Sequence, residues 1–304
     1  MFDVVAIADD VQDDLEPLGT KPKFWFRTET SDWCLFKEAR PNTGEDWAEK
    51  IACELARLLR LPHVDYNLAE WRSRAGVVCK SFVPEGGHLE HGNELLAAVV
   101  PAYPPTQFYD VYPYTLDRVL DVLEQPHLQT PLHWPSTTGI ANPVDVFIGY
   151  LMFDAWIANQ DRHHENWGMI TLSGAMKYLA PSYDHASSLG AIETDRVRQD
   201  RLTTRDRRRS MAHYVQRARS AFYRSPTDPK TISTVEAFGH AARRGPHAAQ
   251  VWLTRLAEID VSRHVQPLFD NIPEARMARH AAAFAMRMLE LNRQRLLEQY
   301  KEST

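Results

Sequence analysis

Apolar positions follow two regimes along the chain. In the first eighty or so residues they form short aromatic and β-branched runs, and Lys23-Phe24-Trp25-Phe26-Arg27 and Trp33-Cys34-Leu35-Phe36-Lys37 predict two strands. The polar residues 28–31 between them have hairpin length. Trp47, Ile51, Leu55, Leu58 and Leu59 then recur at helical spacing, which predicts a helix over 47–61 that Pro62 stops. Two further strands are expected over 64–71 and 76–83. Together these make a small sheet with one helix laid against it.

From about residue 90 the pattern changes to helices separated by proline-rich connections at 101–113 and 126–135. Pro84-Glu85-Gly86-Gly87 marks the expected boundary, dividing the chain into a lobe of residues 1–84 and a helical lobe of residues 85–304. Asn142-Pro143 reads as an N-cap followed by proline at the first helical position. It opens an apolar helix over 144–158, which delivers 159–167 as a loop. A hairpin over 168–172 and 176–179 should follow around Ser173-Gly174. The remainder reads as helical, with 274–299 the longest candidate, and no internal repeat is seen. The predicted fold class is α+β, with two lobes.

Composition narrows the setting. With 304 residues and 44% apolar content, the chain can bury a substantial core. A net charge of −5 gives no overall reason to require nucleic acid or an anionic membrane. Cys34, Cys53 and Cys79 are odd in number and widely spaced, which suits the cytoplasm better than an oxidising compartment. The most apolar run, 144–158, contains Asp145 and Asp154 and falls short of the roughly 20 residues a bilayer needs.

The loop Asn159-Gln160-Asp161-Arg162-His163-His164-Glu165-Asn166 places an Asp four residues ahead of an Asn. That spacing lets the Asp reach an acceptor hydroxyl while the Asn turns back to a Mg²⁺ ion, as in kinase catalytic loops. Chance supplies D-x-x-x-x-N often, and its weight comes from lying between an apolar helix and a hairpin that ends in Tyr183-Asp184. Asp184 could return a second oxygen ligand to the same metal. Lys37, ending an apolar strand, suits the phosphates of ATP. Glu49 and Glu54 are both candidates to pair with it, and helical periodicity leans toward Glu54. Upstream, Gly19-Thr20-Lys21-Pro22-Lys23 could offer backbone N–H groups and lysine to the phosphates, without the several glycines of a usual phosphate loop.

These segments resemble the HipA-like serine/threonine kinases, toxins of toxin–antitoxin systems with a distant protein-kinase fold. The resemblance covers about the first 190 residues. It rests on 19–23, Leu35-Phe36-Lys37, the helix ending Leu-x-Leu-Pro, the D-x-H-x-x-N loop and Pro181-Ser182-Tyr183-Asp184. It implies a small sheet-and-helix lobe and a larger helical lobe with ATP between them. It further implies Asp161 as base, Asn166 and Asp184 as metal ligands and Lys37 as the phosphate lysine, with Glu49 rather than Glu54 its partner. His163 would brace the catalytic loop, Thr20, Lys21 and Lys23 would cradle phosphates, and Lys80, Ser81, Phe82 and Val83 would form the hinge beside adenine. The implied substrate is a protein with a serine or threonine acceptor, and an antitoxin partner comes into consideration. Two departures are visible: the chain begins almost at the nucleotide loop, where full-length toxins carry an extra N-terminal subdomain, and Leu18 stands where they often have a regulatory serine.

Blander readings stand beside these. Lys37 could be a solvated strand end, and Asp161 and Asn166 could be turn and cap residues. His163, His164, Asp161, Glu165, Asp184 and His185 could instead form a metal-hydrolase cluster, although no H-x-x-x-H pair sits on a helix. A small-molecule or lipid kinase and a pseudokinase-like binding module are further alternatives. The ten arginines between Arg196 and Arg224, partly offset by Asp195, Asp200 and Asp206, form either a solvated helical face or a site for an acidic or nucleic-acid partner.

Overall fold

The protein is represented by a computed structural model that describes residues 1–11, 14–15, 22–135, 137–174 and 176–301. The N-terminal part is a six-stranded sheet of β1 (Val4–Ile7), β2 (Asp14–Leu15), β3 (Lys23–Arg27), β4 (Trp33–Glu38), β5 (Tyr66–Trp71) and β6 (Arg74–Lys80). Its order is β1-β5-β6-β4-β3-β2, with β1 parallel to β5 and the other pairs antiparallel. The helix α1 (Glu45–Leu58) lies against it and is buried along most of its length, including Trp47, Ile51 and Leu55. Its burial exceeds that of a one-faced amphipathic helix because the C-terminal part covers the side away from the sheet.

The helix ends differ from the periodicity. Glu45 joins α1 because it accepts hydrogen bonds from the Arg40 backbone N–H at 2.9 Å and side chain at 3.1 Å. At the other end Arg60 turns left-handed (φ 54°) and the Leu61 N–H closes on the Ala56 carbonyl at 2.9 Å, so the helix stops before Pro62 is reached. The strand expected over 76–83 ends at Lys80, where the Ser81 N–H makes a last bond to the Trp33 carbonyl at 2.8 Å.

The C-terminal part is mainly helical. It contains α2 (Gly92–Val99), α3 (Leu116–Leu123), α4 (Pro143–Ile157), α5 (Asp195–Thr203), α6 (Met211–Val215), α7 (Thr234–Arg244), α8 (Pro246–Glu258), α9 (Gln266–Asp270) and α10 (Arg279–Lys301). A small sheet of β7 (His88–His91), β8 (Leu128–Gln129), β9 (Gly168–Thr171) and β10 (Lys177–Leu179) has the order β7-β9-β10-β8. The expected hairpin is the antiparallel β9–β10 pair. A second hairpin, β11 (Arg219–Tyr223) and β12 (Thr231–Ser233), interrupts a region read as helical, so the arginine-rich stretch spans α5, α6 and a strand rather than one helical face. Helix α10 begins later than periodicity suggests because Arg276 is held in a turn, with its guanidinium on Asp46 and Glu70.

Helix α4 is the axis of this part. It is apolar on all sides and buried, packed against α7, α8 and α10, as a helix without a polar face must be. The Asn142 side chain caps it by accepting the Asp145 N–H at 3.0 Å, with Pro143 in its first turn. Ala158 then turns left-handed (φ 53°) and releases the following loop toward the sheet. Among the described residues, no helix is long and apolar enough to cross a membrane.

Candidate active site

A cleft of about 930 Å³ opens between the sheet and the helical part. Lys23, Lys37, Ser81, Phe82 and Val83 line it from the sheet side, and Asp161, His163, Asn166 and Asp184 from the other. Residues some 147 positions apart in sequence, Lys37 and Asp184, thus face each other with Lys37 Nζ 3.5 Å from Asp184 Oδ1. Lys37 also donates to the Tyr66 hydroxyl at 3.4 Å. Burial opposes its charge, but the carboxylates of Asp184 and Glu49 outweigh that and hold its pKa above the ordinary lysine value. Lys37 is therefore a fixed cation in the cleft and not a solvated strand end.

The catalytic-loop candidates are set by a buried polar scaffold that the sequence did not single out. Arg162, 1% exposed, forks onto Asp154 of α4, with Nε and Nη2 each donating at 2.8 Å to opposite carboxylate oxygens. Its remaining donors reach the Asn166 carbonyl at 3.0 Å and Ser182 Oγ at 2.9 Å. Asn159 donates to the same Asp154 at 2.8 Å. The Asp154–Arg162 pair thus fixes both ends of the loop and the segment entering Asp184. The only advance sign was Asp154 deep in an apolar helix whose other carboxylate, Asp145, lies in its first turn.

On this scaffold the Asp161 carboxylate is partly exposed to the cleft, and the Ser187 hydroxyl donates to its Oδ2 at 3.1 Å. The Asn166 amide donates to the Asp161 carbonyl at 2.7 Å, which leaves the amide oxygen as its ligating atom. That oxygen and the Asp184 carboxylate are hard donors of the kind Mg²⁺ requires, so the residues fit such an ion. Asp184 adopts a left-handed backbone (φ 58°), which Asp tolerates better than most side chains. His163 Nδ1 accepts the Glu165 N–H at 3.2 Å, and its Nε2 lies 3.8 Å from Asp161 Oδ1.

Several expected residues fall elsewhere. Glu49, fully buried, accepts the His185 backbone N–H at 2.8 Å, and its Oε2 has no hydrogen-bond partner. It bears on Lys37 through its field, but the direct ion pair expected between them is not formed, because Lys37 is drawn to Asp184 and Glu49 to His185. Glu54 is turned away and paired with Lys50 at 2.7 Å and Arg57 at 3.3 Å. Lys80 points out of the cleft to Asp32 at 2.6 Å, since alternate residues of a strand face opposite ways. Thr20 and Lys21 lie outside the described residues. The histidines of the hydrolase alternative diverge. His164 hydrogen-bonds the Tyr103 hydroxyl at 2.8 Å, with its pKa pushed down to about 4 by burial and then by His163. His185 turns to Ser182 at 2.7 Å.

No model of a known protein family matches the chain, and no curated protein matches it. Among solved structures it is similar to the Helicobacter pylori proinflammatory kinase CtkA, with a TM-score of 0.70 and 18% identity over 97% of this chain and 99% of that one. It is also similar to HipA of Shewanella oneidensis MR-1, solved with HipB and operator DNA. There the TM-score is 0.54 and the identity 12%, over 94% of this chain and 66% of that one. At such identities the likeness is one of fold: the chain has a HipA-like kinase fold, with an N-terminal sheet lobe and a helical C-terminal lobe.

Proposed function

We propose that this chain is an ATP-dependent serine/threonine protein kinase, with residues 1–84 as the nucleotide lobe and 85–304 as the catalytic lobe. The carrying observation is the convergence of Lys37, Asp161, Asn166 and Asp184 on one cleft whose sheet side also presents Ser81, Phe82 and Val83. Adenine would lie against the 81–83 segment and the phosphates beside Lys37, whose permanent charge offsets theirs. Asn166 and Asp184 would hold Mg²⁺, which neutralises charge on the phosphates when bound. Asp161 takes the proton of the acceptor hydroxyl as its oxygen bonds to the γ-phosphorus, and the bond to the β,γ-bridging oxygen breaks to release ADP. The three thiols, all free and buried, accord with a cytoplasmic setting.

The test combines calorimetry with MgATP and single-turnover transfer to a protein acceptor. Asp161→Ala should lose on the order of 10²–10⁴ in rate while keeping MgATP affinity within several-fold. Asp184→Ala should lose both. Transfer by Asp161→Ala at the wild-type rate would remove Asp161 as base, and unchanged MgATP affinity in Asp184→Ala would remove Asp184 from the metal.

A further inference from the structure

Behind the cleft, the end of α1 meets the connection into β5, and the side chains of Cys53, His63 and Asp65 converge there. One ligand-type atom from each lies within 4.8 Å of the others, the only such trio among the described residues. We propose that Cys53, His63 and Asp65 form a separate site for a thiophilic divalent cation, Zn²⁺ by its chemistry, bracing the segment that carries Asp184.

The spacing suits an ion. His63 Nε2 is 3.5 Å from Asp65 Oδ1, and Cys53 Sγ is 3.8 Å from the same oxygen. Tetrahedral bonds of about 2.0–2.3 Å place neighbouring ligand atoms roughly 3.3–3.8 Å apart. The histidine is also oriented as a ligand. Its Nδ1 lies 2.6 Å from the Leu61 carbonyl, so a neutral ring keeps its proton there and turns Nε2 toward the trio as the ligand atom. That Nε2 is buried and makes no hydrogen bond of its own. Cys53, 1% exposed, receives the Tyr66 N–H at 3.4 Å, which holds its sulfur toward the trio. Thiolate with imidazole and carboxylate selects zinc-like ions over Mg²⁺, whose donors are oxygens. The exposed side of Asp65 leaves the fourth position to water.

Arg57 is the competing cation, with Nη2 at 2.6 Å from Asp65 Oδ1 and 3.9 Å from Cys53 Sγ. It is 54% exposed and already holds Glu54 through Nε at 3.3 Å, so it can withdraw from Asp65 without losing its anchor. Without an ion the trio relies on that guanidinium and on a proton at His63. Burial opposes the proton, but Asp65 and Cys53 raise the His63 pKa to about 9. A bound cation displaces this proton and the thiol proton together. Its effect reaches the cleft through the backbone. The Val64 N–H bonds the Ser182 carbonyl at 3.0 Å and the Ser182 N–H bonds the Pro62 carbonyl at 2.9 Å, two residues before Asp184.

Titration of the metal-free protein with Co²⁺, read by absorption, tests this without reference to phosphoryl transfer. The expected result is one ion per chain, with a thiolate-to-cobalt band in the near ultraviolet and the visible bands of tetrahedral cobalt, all lost on adding Zn²⁺. Asp184→Ala should keep the signal, which separates this site from the Mg²⁺ ligands. Cys53→Ser should abolish the ultraviolet band, and His63→Gln should weaken affinity by about tenfold or more. Should Cys53→Ser not fold, Asp65→Asn at the exposed edge gives the same comparison and should also weaken binding. No thiolate band in folded wild-type protein, or an undiminished one in Cys53→Ser, or unchanged affinity in Asp65→Asn, would overturn the site.

Discussion

Asp154→Ala should strongly destabilise the fold, although Asp154 does not line the cleft. Its carboxylate receives two hydrogen bonds from Arg162 at 2.8 Å and one from Asn159 at 2.8 Å, with side chains only 4% and 1% exposed across the ion pair. Two unit charges about 4 Å apart at an effective dielectric of about 20 attract by about 4 kcal/mol. Removing one partner of a buried pair typically costs about 3–5 kcal/mol, since the other is left uncompensated. Urea unfolding followed by the fluorescence of buried Trp156 and Trp167 should therefore show stability lower by about 3–5 kcal/mol. The double variant Asp154→Leu with Arg162→Met should recover much of that, because both buried charges are gone. It should not recover transfer, because the Asn166 carbonyl and Ser182 Oγ still lack the guanidinium that positions them. A cost below about 1 kcal/mol for Asp154→Ala, the range of a surface pair, would refute the reasoning.

Three further outcomes are expected. Ser187→Ala removes the hydroxyl that holds Asp161 Oδ2, so kcat should fall by roughly tenfold with KM for MgATP unchanged, and Ser187→Thr should restore it; a wild-type kcat in the alanine variant would deny Ser187 this role. Glu49→Gln keeps an acceptor for the His185 N–H but removes the charge felt by Lys37, and should slow transfer on the order of tenfold, whereas Glu54→Gln should stay within about twofold; the reverse ranking would assign the pairing to Glu54. His164 is neutral in the fold with a pKa lowered to about 4, while the unfolded chain takes up its proton near 6.5, so its contribution is intact above pH 6.5 and is lost as pH falls toward 4; denaturant titrations should show up to about 3 kcal/mol of acid loss that His164→Gln lacks.

Much of the architecture was legible in the sequence because it is encoded locally. Aromatic-rich runs gave β3 and β4, the Asn142-Pro143 cap placed the start of α4, and the apolar run after it required a buried helix that ends in a polar loop. The spacing of Asp161, Asn166 and Asp184 picked out three residues that line one cleft, though the buried Asp154–Arg162 pair holds their segments there. What the sequence left open were the choices made between distant segments. Periodicity favoured Glu54 beside Lys37, but a stripe of burial does not say which neighbour lies across it. In the fold, Lys50 and Arg57 claim Glu54 while Glu49 faces the backbone of His185. The family resemblance placed Lys80 in the hinge beside adenine, and only the pairing of β6 with β4 turned it toward Asp32. Asp154 and Arg162, or Cys53 and His63, carry no motif that announces their contact. Their pairing is a consequence of burial: a charge or lone pair enclosed by tertiary packing must find its partner there, and which partner is near is decided by packing and not by spacing along the chain.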